Sequence, residues 1–164
     1  NASEGWSKGM EFEYKYYLNN NFNITGSIGL LDTWVNKFDY YISDSVKSFS
    51  GGRESSMSPN SMNSFSIDYL SKNKYHVNIG YTTKSEYYFS DSNNQKSEKY
   101  SIVNAVFGRD IANYKLSFYC NNILDVRYAI QAFYFGLTPP NYPETLWESF
   151  GDPREFGVRF ELGI

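Results

Sequence analysis

Gly151-Asp152-Pro153-Arg154-Glu155-Phe156-Gly157-Val158-Arg159-Phe160-Glu161-Leu162-Gly163-Ile164, the last fourteen residues, read as a proline-opened strand with strict two-residue alternation. Phe156, Val158, Phe160, Leu162 and Ile164 share one face, and Glu155, Gly157, Arg159, Glu161 and Gly163 share the other. An antiparallel strand of a soluble sandwich alternates in this way. So does the closing strand of an outer-membrane barrel, whose apolar row meets lipid and whose polar row meets a wet lumen. The segment by itself leaves both open.

Composition narrows the choice. The mean hydropathy is negative, 20% of residues are charged, and no run of about 18 apolar residues could span as a helix. Yet 20% of the chain is aromatic, with 16 Tyr, a load of amphipathic rings that suits strands and membrane-interface girdles. Barrels hide their hydrophobicity in alternation, so a polar average does not exclude one. The net charge of −3 and scattered Lys and Arg give no basic stripe for nucleic acid. One cysteine, Cys120, forbids an internal disulfide framework and supplies no metal cluster. The chain opens at Asn1 with no Met or apolar leader, and reads as a piece of a longer precursor.

The pattern predicts seven strands joined by alternately short and long connections. The first runs from about Gly5 to Leu18, with Met10, Phe12, Tyr14 and Tyr16 against Glu11, Glu13 and Lys15, and turns at Asn19-Asn20-Asn21. The second covers about Phe22 to Val35, with Ile24, Ile28 and Leu30 opposite Asn23, Thr25 and Ser27. A long polar loop holding Gly51-Gly52-Arg53 follows, and Pro59 precedes a third strand through Phe65, Ile67 and Tyr69. Ser71-Lys72-Asn73-Lys74 turns into a fourth, with Tyr75, Val77, Ile79 and Tyr81 opposite Asn78, Gly80 and Thr82. After the loop Ser90 to Glu98, the fifth strand spans Tyr100 to Gly108 with Val103, Ala105 and Phe107 outward, although Ile102 and Val106 blur its register. Asp110 to Asn113 turns into the sixth, where Leu116, Phe118 and Cys120 alternate with Lys115, Ser117 and Asn121. A proline-bearing loop from Ala129 to Phe150 leads to the last strand. Short turns at one end and long loops at the other are the asymmetry of a bacterial outer-membrane barrel.

Specific residues carry a resemblance. Asn1-Ala2 with Gly9-Met10-Glu11-Phe12-Glu13, then Asn122-Ile123-Leu124-Asp125-Val126-Arg127-Tyr128, Phe133-Tyr134-Phe135-Gly136 and Gly151 to Val158 resemble, in order and spacing, the C-terminal strands of TonB-dependent outer-membrane receptors. Two departures stand out: Ile164 occupies the place of the family's terminal aromatic, and Val106 that of a basic lumen residue. The resemblance implies an all-β fold in which residues 1–164 form about seven C-terminal antiparallel transmembrane strands of a barrel of roughly 22. The plug domain and the N-terminal strands lie outside this sequence. It also implies TonB-dependent uptake of a scarce nutrient, a ferric siderophore foremost, with the plug domain, the TonB energy-transducing complex and outer-membrane lipid as partners.

Each candidate residue has a plainer reading beside it. His76 has no second His or Cys nearby, so an ordinary lumen residue fits better than a metal or haem ligand. Glu11 and Glu13 could pair for acid-base work, but beside Lys15 on one face they fit a solvated, salt-bridged lumen wall. Cys120 fills the apolar row. Arg154 could clamp a ligand carboxylate, or pair within the rim after Pro153 sets where the ladder begins. Glu11, Glu13, Asn78, Arg154 and Arg159 are expected to face the lumen and the plug. Among the loop aromatics Tyr87, Tyr88, Phe89, Phe133, Tyr134, Phe135, Tyr142 and Trp147, about half fit an interface girdle. The outer-loop residues singled out for ligand are Arg53, Tyr88, Tyr134 and Trp147.

No nucleophile with its base, phosphate loop or zinc spacing is present, so an enzyme is not expected and no cofactor is implied. Two rivals remain: a secreted β-sandwich binding carbohydrate through exposed aromatics, and a truncated receptor remnant that cannot transport. The barrel reading puts Phe12, Tyr14, Ile28, Val77, Ile79, Leu116, Phe118, Val158 and Phe160 on one convex face, with Glu11, Glu13, Asn78, Lys115 and Arg159 on the concave one. By the same logic an arginine at Phe118 is costly and one at Ser117 nearly neutral.

Overall fold

The computed structural model of the chain describes residues 4–43, 46–91 and 93–163, so Asn1, Ala2 and Ile164 lie outside the described residues. Among these, the elements are β1 (Gly5–Tyr17), β2 (Phe22–Val35), β3 (Phe38–Ser43), β4 (Val46–Ser50), β5 (Ser61–Leu70) and β6 (Tyr75–Lys84). There follow β7 (Tyr100–Ile111), β8 (Tyr114–Asn121), β9 (Ala129–Phe135), β10 (Thr145–Phe150) and β11 (Glu155–Leu162), with no helix. Seven strands make one antiparallel sheet in the order β1-β2-β5-β6-β7-β8-β11. The two remaining pairs, β3 with β4 and β9 with β10, are hairpins within the long connections. They correct the expectation that residues 36–60 and 129–150 are plain loops.

The ladder sorts the side chains as alternation demands. Tyr16, Ile24, Ile67, Ile79, Ala105, Cys120 and Phe156 form one unbroken row across all seven strands. The neighbouring row, Tyr17, Asn23, Asp68, Asn78, Val106, Tyr119 and Gly157, belongs to the other face. All nine residues expected outward fall on the first face, and Glu11, Glu13, Asn78, Lys115 and Arg159 on the second. The second face is concave: one hollow of about 710 Å³ is bounded by side chains from Tyr17 on β1 to Glu161 on β11.

The apolar face is open. Phe118 is 51% exposed, Val158 60% and Phe156 80%, and no second sheet covers them. A sandwich would bury this row between two sheets. Among the described residues the buried apolar ones are Tyr87, Phe89 and Ala132, all in the long connections. An exposed apolar face of this extent is what a lipid-facing wall presents.

Register also fixes the slant of the strands. From the row through Tyr17 and Asn23, the last pair beside the next short turn, Leu70 and His76, lies two residues further on. Ile111 and Tyr114 beside the third turn lie five further on. That slip of one residue per strand or slightly more, at ~3.3 Å per residue and ~4.8 Å between strands, is a tilt of roughly 35 to 40°, within the barrel range. Aromatic pairs descend with it: Phe22 and Tyr69 at 4.5 Å, Tyr75 and Phe107 at 6.1 Å, Tyr114 and Phe160 at 5.6 Å. They form a sloping aromatic band toward the short-turn end of the sheet.

The short turns are built locally. Asn19 Oδ1 accepts from the backbone N–H groups of Asn21 at 2.8 Å and Phe22 at 3.0 Å, an Asx turn. Ser71 closes the second through Tyr75 N–H to its Oγ at 2.9 Å. One expectation needs correcting here. Ser117 does point inward, but it is only 3% exposed and shares a 3.2 Å hydrogen bond with His76, so an arginine there has no room.

Candidate functional site

The inward wall is polar and largely self-satisfied. Asn78 Nδ2 donates to Ser66 Oγ at 2.8 Å and to Asp68 Oδ1 at 2.7 Å, which fixes its amide between two strands. The His76 ring covers Gly108, where any Cβ would collide with it, and its Nδ1 stands 3.8 Å from Asp110 Oδ1. Arg159 lies over the Tyr119 ring at 5.9 Å. Glu11 and Glu13 are exposed on this wall, while Lys15 sits over Tyr17 at 5.1 Å and not against either carboxylate. Among the described residues no group of three His, Cys, Asp or Glu converges as a metal site.

The long connections form the opposite rim. Arg53 reaches across to the β6–β7 connection, donating to Asn93 O at 2.7 Å, Asn94 Oδ1 at 2.6 Å and Ser90 O at 2.7 Å. Its guanidinium lies 4.2 Å from the Tyr88 ring centre, and Lys96 Nζ lies 4.5 Å from the same ring. Lys96 also pairs with Glu86 at 2.9 Å and Glu54 at 3.7 Å, and the Glu86 hydrogen bond foremost raises its ammonium above the ordinary range. Tyr87 donates its hydroxyl to Ile130 O at 2.8 Å and packs with Phe89 against Ala132, and burial pushes its phenol up. Three connections are thereby tied into one body.

Of the outer-loop residues singled out in the sequence, Arg53 and Tyr88 meet, and Tyr134 and Trp147 stand apart on the β9–β10 hairpin. Trp147 pairs across from Phe133 and Tyr134 from Leu146, so the two rings occupy opposite hairpin faces. Both remain substantially exposed, and Trp147 Nε1 donates to Phe135 O at 3.0 Å. Arg154 stands just before β11 in the rim, 3.4 Å from Asp125 Oδ2, with its own N–H on Asp125 Oδ1 at 3.0 Å.

Sequence reasoning missed the node that organises this corner. Asn122 is 2% exposed and adopts a left-handed φ of 47°, which asparagine tolerates better than most residues. Its Nδ2 donates to Val126 O at 2.9 Å and Asp152 O at 3.1 Å, and its Oδ1 accepts from Val126 N–H at 2.9 Å. It therefore joins the end of β8 to the start of β11, which explains an asparagine at the head of the Asn122–Tyr128 segment. Asn122→Ala leaves two part-buried carbonyls and one N–H without these partners. The expected loss is about 2 kcal/mol of stability in the complete barrel, read from urea unfolding, against a few tenths for Asn113→Ala in an exposed turn.

No family model matches the chain. Among solved structures it is similar to the siderophore receptor PiuA from Acinetobacter baumannii, with TM-score 0.75 and 16% identity over 95% of this chain and 21% of that one. It is similar also to the ferric yersiniabactin uptake receptor FyuA from Yersinia pestis, with TM-score 0.75 and 12% identity over 96% of this chain and 23% of that one. The chain thus spans less than a quarter of either receptor. Its seven-stranded sheet, with the loops it carries, has the fold of a segment of a siderophore-receptor barrel.

Proposed function

We propose that the chain is the C-terminal part of a TonB-dependent outer-membrane receptor that imports a ferric siderophore. The observation that carries this reading is the division of one tilted sheet into an exposed apolar face and a concave polar one, under a rim of mutually tied loops. In this reading the apolar face meets lipid, and Glu11, Glu13, Asn78 and Arg159 face the plug. Ligand arrives at the loop end. Tyr134 and Trp147 are the open contacts there; Arg53 and Tyr88, whose groups are engaged within the rim, act by holding it in place.

The test is uptake of iron-loaded siderophores by the complete receptor in cells lacking their own, with and without TonB. TonB-dependent uptake of at least one siderophore is the expected result, and uptake of none across hydroxamate, catecholate and phenolate classes would overturn the assignment. Tyr134→Ala and Trp147→Ala are each expected to weaken ligand binding roughly tenfold, as truncation of an aromatic anchor does.

A further inference from the structure

We propose that the second short turn is a binding site for an anionic phospholipid of the periplasmic leaflet, an inference that rests on the membrane reading above. The sequence and the ladder place three cations there: Lys72 and Lys74 in the turn, and Arg109 opposite Tyr75 on β7. The ladder pairs Arg109 with Tyr75 in the same outward row as Leu116 and Phe160, so its side chain belongs to the apolar face. Its guanidinium lies 4.6 Å from the centre of the Tyr75 ring, which itself stacks on Phe107. Lys74 joins it through its carbonyl, which accepts from Asp110 N–H at 3.0 Å.

The cluster is unneutralised. Among the described residues none of the three cations lies within ion-pair distance of a carboxylate. The nearest acid in sequence, Asp110, is on the opposite face, with its Oδ1 3.8 Å from His76 Nδ1, and it pairs with none of the three cations. The other two short turns, Asn19 to Asn21 and Ala112-Asn113, carry no cation, so the charge is not a general property of this rim.

The turn is also held in one shape that a lysine does not favour. Lys74 has φ 62°, a left-handed conformation suited to Gly or Asn, and the turn is closed by Ser71 N–H to Tyr75 O at 2.8 Å and Lys74 N–H to Ser71 O at 3.0 Å. A rigid turn thus fixes the Lys74 backbone against the strand that carries Arg109, whose guanidinium rests on an aromatic plate. Just below a lipid-facing girdle, that geometry fits a phosphate headgroup, with acyl chains running over Tyr75, Phe107 and Leu116.

The test uses the complete receptor in phosphatidylcholine nanodiscs doped with phosphatidylglycerol, comparing it with Lys72→Asn, Lys74→Asn, Arg109→Gln combined. Asparagine suits the left-handed position, so the turn survives. Retained phosphatidylglycerol after a detergent wash, counted by native mass spectrometry, is expected to fall roughly tenfold in the variant, since each cation near an anionic surface contributes severalfold. Equal retention with normal insertion would overturn the site alone. So would displacement of the lipid by inorganic phosphate at matched concentration, which would mark a site for a free anion. Failure of the unmodified receptor to enter phosphatidylcholine bilayers would overturn the membrane reading and this site with it.

Discussion

Phe118→Arg is expected to destabilise the complete barrel by about 1 to 3 kcal/mol if, as proposed, its face meets lipid, the cost of a guanidinium between the interface and the bilayer midplane. Phe118 shares its row with Val77, Phe107 and Val158, and its outward neighbours two residues away on β8 and β11 are Cys120 with Phe156 and Leu116 with Phe160. The side chain is 51% exposed, so lost protein packing contributes little, and the expected penalty is that of the proposed lipid contact. The matched control is Thr82→Arg, inward and exposed, where an arginine finds water and the change should stay within about 0.5 kcal/mol. Ser117→Arg is the wrong control despite facing inward, because His76 covers it. Urea unfolding from lipid vesicles separates the cases. Equal sensitivity at positions 118 and 82 would mean that the two faces have been assigned wrongly.

The seven strands and their facing were legible because each presents one apolar and one polar row, and a two-residue period records both. Even the blurred fifth strand is resolved by its neighbours: Ala105 lies between Ile79 and Cys120, which leaves Ile102 and Val106 on the inner wall. The hairpins were not legible for the same reason. β9 pairs only with β10, and its run Phe133-Tyr134-Phe135 is apolar on both faces, so no alternation announces it. Nor could the rim be read from the sequence, because Arg53 finds its acceptors about 40 residues away in another connection. Ser117 was misjudged on the same account, its cover coming from a histidine 41 positions earlier. Alternation reports which side a residue faces; it carries no record of what lies over it.

Residues 1–164 produced alone behind a signal peptide are expected to yield no transport and no stable membrane species. The sheet ends on two open edges, the outer sides of β1 and β11, which pair with β2 and β8 on one side only. Backbone groups on such an edge cannot be left in hydrocarbon, where each unsatisfied group costs several kcal/mol. The edges cannot simply meet. Seven strands that alternate in direction leave β1 and β11 parallel, so closure would need a parallel seam within an otherwise antiparallel ladder. The lumen would also be too small: about eight strands leave room only for packed side chains, and this wall would have to bury Tyr17, Tyr119, His76, Arg159 and two glutamates together. What completes the sheet must therefore be an odd number of further strands, with an antiparallel partner at each edge. Expression of the segment with and without the preceding strands decides the matter by heat-modifiable mobility and protease resistance in the outer-membrane fraction. A resistant, heat-modifiable species from residues 1–164 alone would show that these seven strands close on themselves and that the chain is no part of a larger barrel.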